Sequence, residues 1–279
     1  MGTIDLKAAA ETWNSLVRES EQVKDAVEAL ARGKLKPSFY IPGFAKFIVL
    51  RPFFITPEQV ARVRTLSETV LSAHRKILNT VLSSNVLKKE HYSSFFEWTE
   101  DIIKLDRPGP VRAACLRFDG SLVKDNPVFI ELNTDMPQAA GLCDSYVGFL
   151  SDLPVIEQFR KKYTVEPMMV QGSFLRALLG EWNASGKSGR PTICFLTWRD
   201  DPVRHTDMEI NRDYCSSRGY NALVADPRNL EFDGDSLSAG GKKIDLVYRV
   251  ISTAETLQRP DDMKTLIKAE EAGAVLMVN

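Results

Sequence analysis

TICFLTW (192–198), NALVADP (221–227), IDLVYRV (244–250) and AVLMVN (274–279) are four short runs rich in Val, Ile, Leu and aromatic residues. Amphipathic stretches at about 207–218 and 261–272 lie among them, each closed by a glycine, Gly219 and Gly273. Strands alternating with helices of that length predict a parallel sheet covered on both faces, because crossover helices have to lie over it. The fold class expected is α/β, or α+β over the whole chain. The last run stops at Asn279 with no polar tail, so the sequence is expected to be a piece of a longer protein.

Upstream the period changes. VRAACLRF (111–118) and PVFIELN (127–133) read as two strands, joined by the turn-rich loop GSLVKDN (120–126) into an antiparallel hairpin. Before Asp106-Arg107-Pro108-Gly109-Pro110 the chain reads as helical. Thr56-Pro57-Glu58-Gln59 is a start signal, with a capping Thr, Pro in the first turn and Gln three residues after the cap. Apolar residues then recur every three or four positions from Val60 to Leu82, predicting a helix over about 57–83. Further helices are expected over about 5–32, ending near Gly33, and over about 89–104. Three regions follow: helical (1–105), hairpin (106–165) and parallel-sheet (166–279).

Composition narrows the function. In 279 residues, 44% hydrophobic and 26% charged, 36 basic side chains balance 37 acidic ones, so no positive field draws in nucleic acid or an anionic membrane. Apolar runs such as FIVL (47–50) are far short of the roughly 20 residues that span a bilayer. The N-terminus does not read as a secretion signal, so a cytoplasmic protein is expected. Cys115, Cys143, Cys194 and Cys215 lie far apart and read as buried, reduced thiols. His74, His91 and His205 are equally scattered, and His74 falls on the apolar side of its helix. Chemistry centred on His or a thiol is therefore not expected.

The chemistry-bearing stretch is LRFDG (116–120) with FIELN (129–133). Alternation sends Arg117 and Asp119 to one face of the first strand, and Glu131 and Asn133 to one face of its partner. Paired as a hairpin, one guanidinium, two carboxylates and an amide crowd a small patch, which a hard cation such as magnesium would organise. The alternative is a solvated outer face with Arg117 paired to Glu131.

Arg117-Phe118-Asp119 followed by Glu131-Leu132-Asn133-Thr134-Asp135 resembles the R-x-D … E-x-N-x-D signature of the circularly permuted ATP-grasp ligases, the glutathionylspermidine synthase-like family. IDLVYR (244–249) is similar to a strand of that family's Rossmann-like domain. The resemblance covers roughly residues 110–279, and implies an ATP-grasp core hairpin at 106–165 and a Rossmann-like pre-ATP-grasp domain at 166–279. It implies that Asp119, Glu131 and Asn133 hold Mg2+ and that Arg117 steadies the transition state of amide formation. Asp135, Gln138 and Arg249 are the substrate-binding candidates, Arg249 because ligands gather at the carboxyl ends of parallel strands. For Arg249 the alternative is a surface salt bridge, for instance with Glu255.

Two departures stand out. Met136-Pro137-Gln138 replaces the small residues the family often carries there, so the substrate is expected to differ. The lysine-bearing nucleotide clasp belongs, in the permuted order, beyond Asn279. The activity implied is ATP-dependent joining of a small-molecule or peptide carboxylate to an amine through an acyl phosphate, with ATP as co-substrate. A non-catalytic binding or assembly module of the same fold is the alternative. The helical first hundred residues suit an oligomer contact or a substrate cover, and suit ordinary packing equally. Gly180 to Ser188 is not a phosphate loop: five residues separate its glycines where four are needed, and it precedes a strand.

Overall fold

The computed structural model describes residues 5–31, 49–93 and 114–279. Helix α1 (Leu6–Glu19) is capped by Asp5, whose carboxylate accepts from the amides of Lys7 and Ala8. The expected helix over 5–32 breaks at Ser20, which is extended, and restarts as α2 (Glu21–Ala31) with the Ser20 hydroxyl accepting from Val23 N–H at 3.2 Å. Helix α3 (Pro57–Leu82) begins where the local signal put it, with both hydrogen bonds of the Thr56/Gln59 capping box formed. Helix α4 (Asn85–Ser93) starts four residues before the expected 89, and its expected continuation to 104 lies outside the described residues, as do the breaker at 106–110 and His91's side chain. His74 is exposed on α3, not packed.

Two helices after the hairpin, α5 (Ala140–Ser151) and α6 (Ile156–Arg160), complete a core with α1. At its centre Trp13 is fully buried against the rings of Phe54 and Phe159 and donates its indole N–H to the Leu50 carbonyl at 2.7 Å.

The hairpin is β1 (Arg117–Val123) and β2 (Asn126–Asn133), antiparallel. Its first strand lies later than the expected 111–118. The loop expected over 120–126 shrinks to Lys124 and Asp125, both at positive φ (48° and 66°), the two-residue geometry whose twist matches flanking strands. Arg117 faces Asn133 and Asp119 faces Glu131; the register then slips by one, leaving Ile130 as a bulge that is 79% exposed. Gly120 permits that bulge, since a Cβ there would sit 2.3 Å from the Val128 carbonyl oxygen. Helix α3 grips the turn, Gln59 donating to the Asp125 carboxylate at 2.7 Å and Arg62 to its carbonyl at 3.2 Å.

The remaining chain is a parallel sheet with helices on it. Helix α7 (Gln171–Ala184) leads into β3 (Ile193–Leu196), α8 (Pro202–Ser217) and β4 (Ala222–Ala225). A small antiparallel sheet follows, β5 (Leu230–Phe232), β6 (Leu237–Ala239) and β7 (Lys242–Ile244). Then come β8 (Leu246–Arg249), α9 (Thr253–Gln258), α10 (Pro260–Glu271) and β9 (Leu276–Val278). The run expected as one strand over 244–250 is thus divided: Ile244 closes β7, and β8 starts after Asp245.

Strand order is β4-β3-β8-β9, all parallel. Helices α7 and α8 pack on one face, while α10 and the small sheet pack on the other. Both faces are covered, so these strands are apolar on both sides, as a parallel sheet requires. Cys194 and Cys215 are buried, but Cys115 is half-buried and Cys143 exposed, so the expectation of buried thiols fails at Cys143. Among the described residues no helix is long and apolar enough to cross a membrane.

Candidate functional site

Because Arg117 and Asp119 alternate along β1 and face Asn133 and Glu131 across the ladder, all four side chains share one face of the hairpin. Arg117 donates to both oxygens of Asp119, at 2.9 and 3.0 Å. The Asn133 amide donates to Asp119 at 3.2 Å and to Glu131 at 2.9 Å. The Asp119 carboxyl is held below its ordinary range, chiefly by the Arg117 guanidinium; slight desolvation opposes this, and hydrogen bonding with Glu131 and Asn133 adds to it. Arg117 is pushed up by the same Asp119 bond. The guanidinium thus pairs with Asp119, its neighbour two residues along, and not with Glu131.

The donor set suits a hard cation in kind: two carboxylates and an amide, all oxygen ligands, on an open face. Asp119 already accepts three hydrogen bonds, while Glu131 is exposed and accepts from Asn133. Asn133 turns its NH2 toward the acids, and a half-turn of that amide would present its oxygen instead. Among the described residues, no group of three or more His, Cys, Asp or Glu side chains is gathered so as to hold a metal. A metal on the hairpin would therefore rest on two acids and one amide.

The other three candidates lie beyond the hairpin. Asp135 and Arg249 meet each other, Nη2 to Oδ1 at 2.7 Å, and the second Asp135 oxygen accepts from Thr253 N–H at 2.7 Å. Arg249 also donates to the carbonyls of Ile251 and Asn279. Glu255, the alternative partner for Arg249, is instead gripped by Arg204, whose Nη1 lies 2.9 Å from each carboxylate oxygen. Gln138 has its amide oxygen buried and without a hydrogen-bond partner in the structure.

Three residues carry more of this region than the sequence suggested. Asn279 binds the main chain of Cys115 in both directions, accepting from its N–H at 3.2 Å and donating to its carbonyl at 2.8 Å, and donates to the Thr134 carbonyl at 3.1 Å. Asp207 lies inside α8, five residues past its first, and caps α5 from outside, accepting from the amides of Ala139 and Leu142. Asp144, buried in α5, caps α7 likewise through Val170 and Gln171. No local signal announces such contacts, since each joins residues 26 or more apart. No protein-family model matches the chain, and no curated protein matches it either.

Proposed function

We propose that the chain is an ATP-dependent carboxylate–amine ligase of the ATP-grasp type, or a fragment of one, with the hairpin's polar face as its reacting surface and the parallel sheet as a Rossmann-like acceptor domain. The supporting observation is the register that gathers Arg117, Asp119, Glu131 and Asn133 within hydrogen-bond distance on one face, where Glu131 is exposed and the other three are half-buried. Asp119, Glu131 and the Asn133 amide oxygen would hold Mg2+. When bound, that ion supplies positive charge to the phosphate oxygens of ATP.

In the overall reaction a carboxylate oxygen attacks the γ-phosphorus of ATP and ADP leaves. The amine nitrogen then attacks the acyl carbon, and phosphate departs with the C–O bond electrons as the amine loses a proton. Arg117 is a fixed cation beside that path, suited to the acyl phosphate and the tetrahedral oxyanion. Asp119 keeps it aimed through the two-point bond. Positioning and charge neutralisation suffice, and no covalent enzyme intermediate is needed.

The test is Mg2+-dependent phosphate release from ATP by the full-length protein across a panel of amino acids, polyamines and small peptides, comparing wild type with Asp119→Ala and Glu131→Ala. The proposal expects release in the wild type with one carboxylate and amine pair, and loss in both variants. Equal release by all three would remove the metal assignment. A non-catalytic module is favoured by one observation, that Arg117 already occupies both Asp119 oxygens and so competes with a metal for them. Wild-type binding of a carboxylate ligand without phosphate release would select it.

A further inference from the structure

We infer that Asn279, Arg249 and Asp135 form a bracket that positions the hairpin's polar face, acting as positioning residues and not as contacts to substrate. The bracket stands on its own hydrogen bonds, and only its consequence for metal binding rests on the ligase reading.

Both strands of the hairpin leave through residues that one side chain holds. Cys115 lies two positions before Arg117, and Thr134 directly follows Asn133. Asn279 both accepts from and donates to the Cys115 main chain, as a neighbouring strand would, and spends its second amide hydrogen on Thr134. Arg249 at the end of β8 then fixes Asn279 by donating to its carbonyl at 2.9 Å, and fixes Asp135 by the 2.7 Å ion pair. Asp135 closes the ring on α9, accepting from the Thr253 amide and hydroxyl. The Arg249 side chain is only 12% exposed, and it spends donors on Ile251, Asn279 and Asp135, which leaves it little to offer a ligand.

Chemistry selects the residue type. A carboxamide has a donor and an acceptor at one end, whereas a carboxylate has no donor. Asn279 also sits at φ 66°, a left-handed conformation that Asn tolerates better than most residues. The dependence is mechanical, because a two-stranded sheet alone is marginal in water and a one-residue slip sends its side chains to the opposite face. Gln59 and Arg62 hold the far end of the hairpin, so its root is where the register of Arg117 and Asp119 is set.

The experiment uses the whole chain labelled with 15N-arginine and follows the Arg117 Nε–H resonance, assigned through Arg117→Lys, alongside titration with Mn2+. Asn279→Asp keeps the shape and removes both donors. The Arg117 resonance is expected to move to the position of a free, exchanging guanidinium, and Mn2+ affinity to fall by about 10-fold or more, the usual effect of losing a group that orients metal ligands. Asp135→Asn weakens the hold on Arg249 while keeping an acceptor for Thr253, and should move the resonance the same way by less; it decides the matter should Asn279→Asp not fold. A folded variant with the Arg117 resonance unmoved overturns the bracket. A resonance that moves as expected in a protein whose wild type binds no Mn2+ upholds the bracket and removes the metal reading instead.

Discussion

Replacing Asp207 should loosen the joint between α5 and α8 by an amount the structure lets us work out. The residue is completely buried, and its two oxygens accept from Ala139 N–H at 2.7 Å and Leu142 N–H at 2.8 Å, while Ala139 offers no side-chain cap of its own. Hydrogen bonds to a charged group contribute about 1.5–3 kcal/mol each. Ala139 and Leu142 are only half-buried, so water recovers part of the loss, and Asp207→Ala should cost about 3 kcal/mol at neutral pH. At about 2–4 °C per kcal/mol for chains approaching this size, calorimetry should show Tm lower by about 6–12 °C.

The pH dependence has a definite sign. Burial pushes the Asp207 carboxyl above its ordinary value of 3.8, against the pull of the Leu142, Ala139 and Gly141 amides. The folded protein therefore holds that proton more tightly than the unfolded chain does, and ionisation opposes folding as pH rises from near 3.8 through the raised value. Asp207→Asn does not titrate, so the stability of wild type relative to this variant should decline across that window. A Tm loss below about 2 °C in Asp207→Ala, or a difference from Asp207→Asn that stays flat as pH rises from near 3.8 to neutrality, would refute this account of the joint.

Three further outcomes follow from single contacts. Gly120→Ala puts a Cβ 2.3 Å from the Val128 carbonyl oxygen, a backbone atom, so the bulge must open; a loss of about 1–3 kcal/mol in denaturant unfolding is expected, with a shifted Arg117 Nε–H signal. Under native conditions a thiol reagent should modify exposed Cys143 first, and Cys194 and Cys215 only on unfolding, since burial pushes both of those thiols to about 12; modification of either in the folded protein would contradict the packing. Trp13→Phe removes the bond to the Leu50 carbonyl and should lower stability by about 1–3 kcal/mol, whereas an unchanged denaturation midpoint would mean that this bond contributes nothing.

What could be read in the sequence is what neighbouring residues decide among themselves. The Thr56 cap of α3 is a matter of four adjacent residues, and the structure forms it as the sequence implies. The shared face of Arg117, Asp119, Glu131 and Asn133 is likewise local, since period-2 alternation and one hairpin suffice. The extent of that hairpin was not legible, because Lys124 and Asp125 adopt positive φ without the Asn-Gly or Asp-Gly pair that usually marks so tight a turn. The break at Ser20 escaped because helical periodicity continues on both sides of a hydroxyl that recaps the chain.

Asp207 and Asn279 illustrate a different limit. Each spends its side chain on backbone far away in sequence, 65 to 68 residues for Asp207 and 145 to 164 for Asn279, and neither periodicity nor spacing encodes such a partner. Arg249 was legible as a polar residue at the carboxyl end of a parallel strand, and Asp135 as part of the motif the hairpin resembles, but their mutual bond depends on how the hairpin root meets that end of the sheet. The polar face is thus specified locally and its placement remotely. A solvated strand face would tolerate a loosened root, whereas a site that must present two acids and an arginine in fixed geometry would not. Asn279→Asp, read together with Mn2+ titration, therefore separates the two readings of the hairpin: a moved Arg117 resonance in a protein that binds no Mn2+ fits an ordinary strand held at its root, and coupled loss of Arg117 geometry and Mn2+ affinity fits a constructed site.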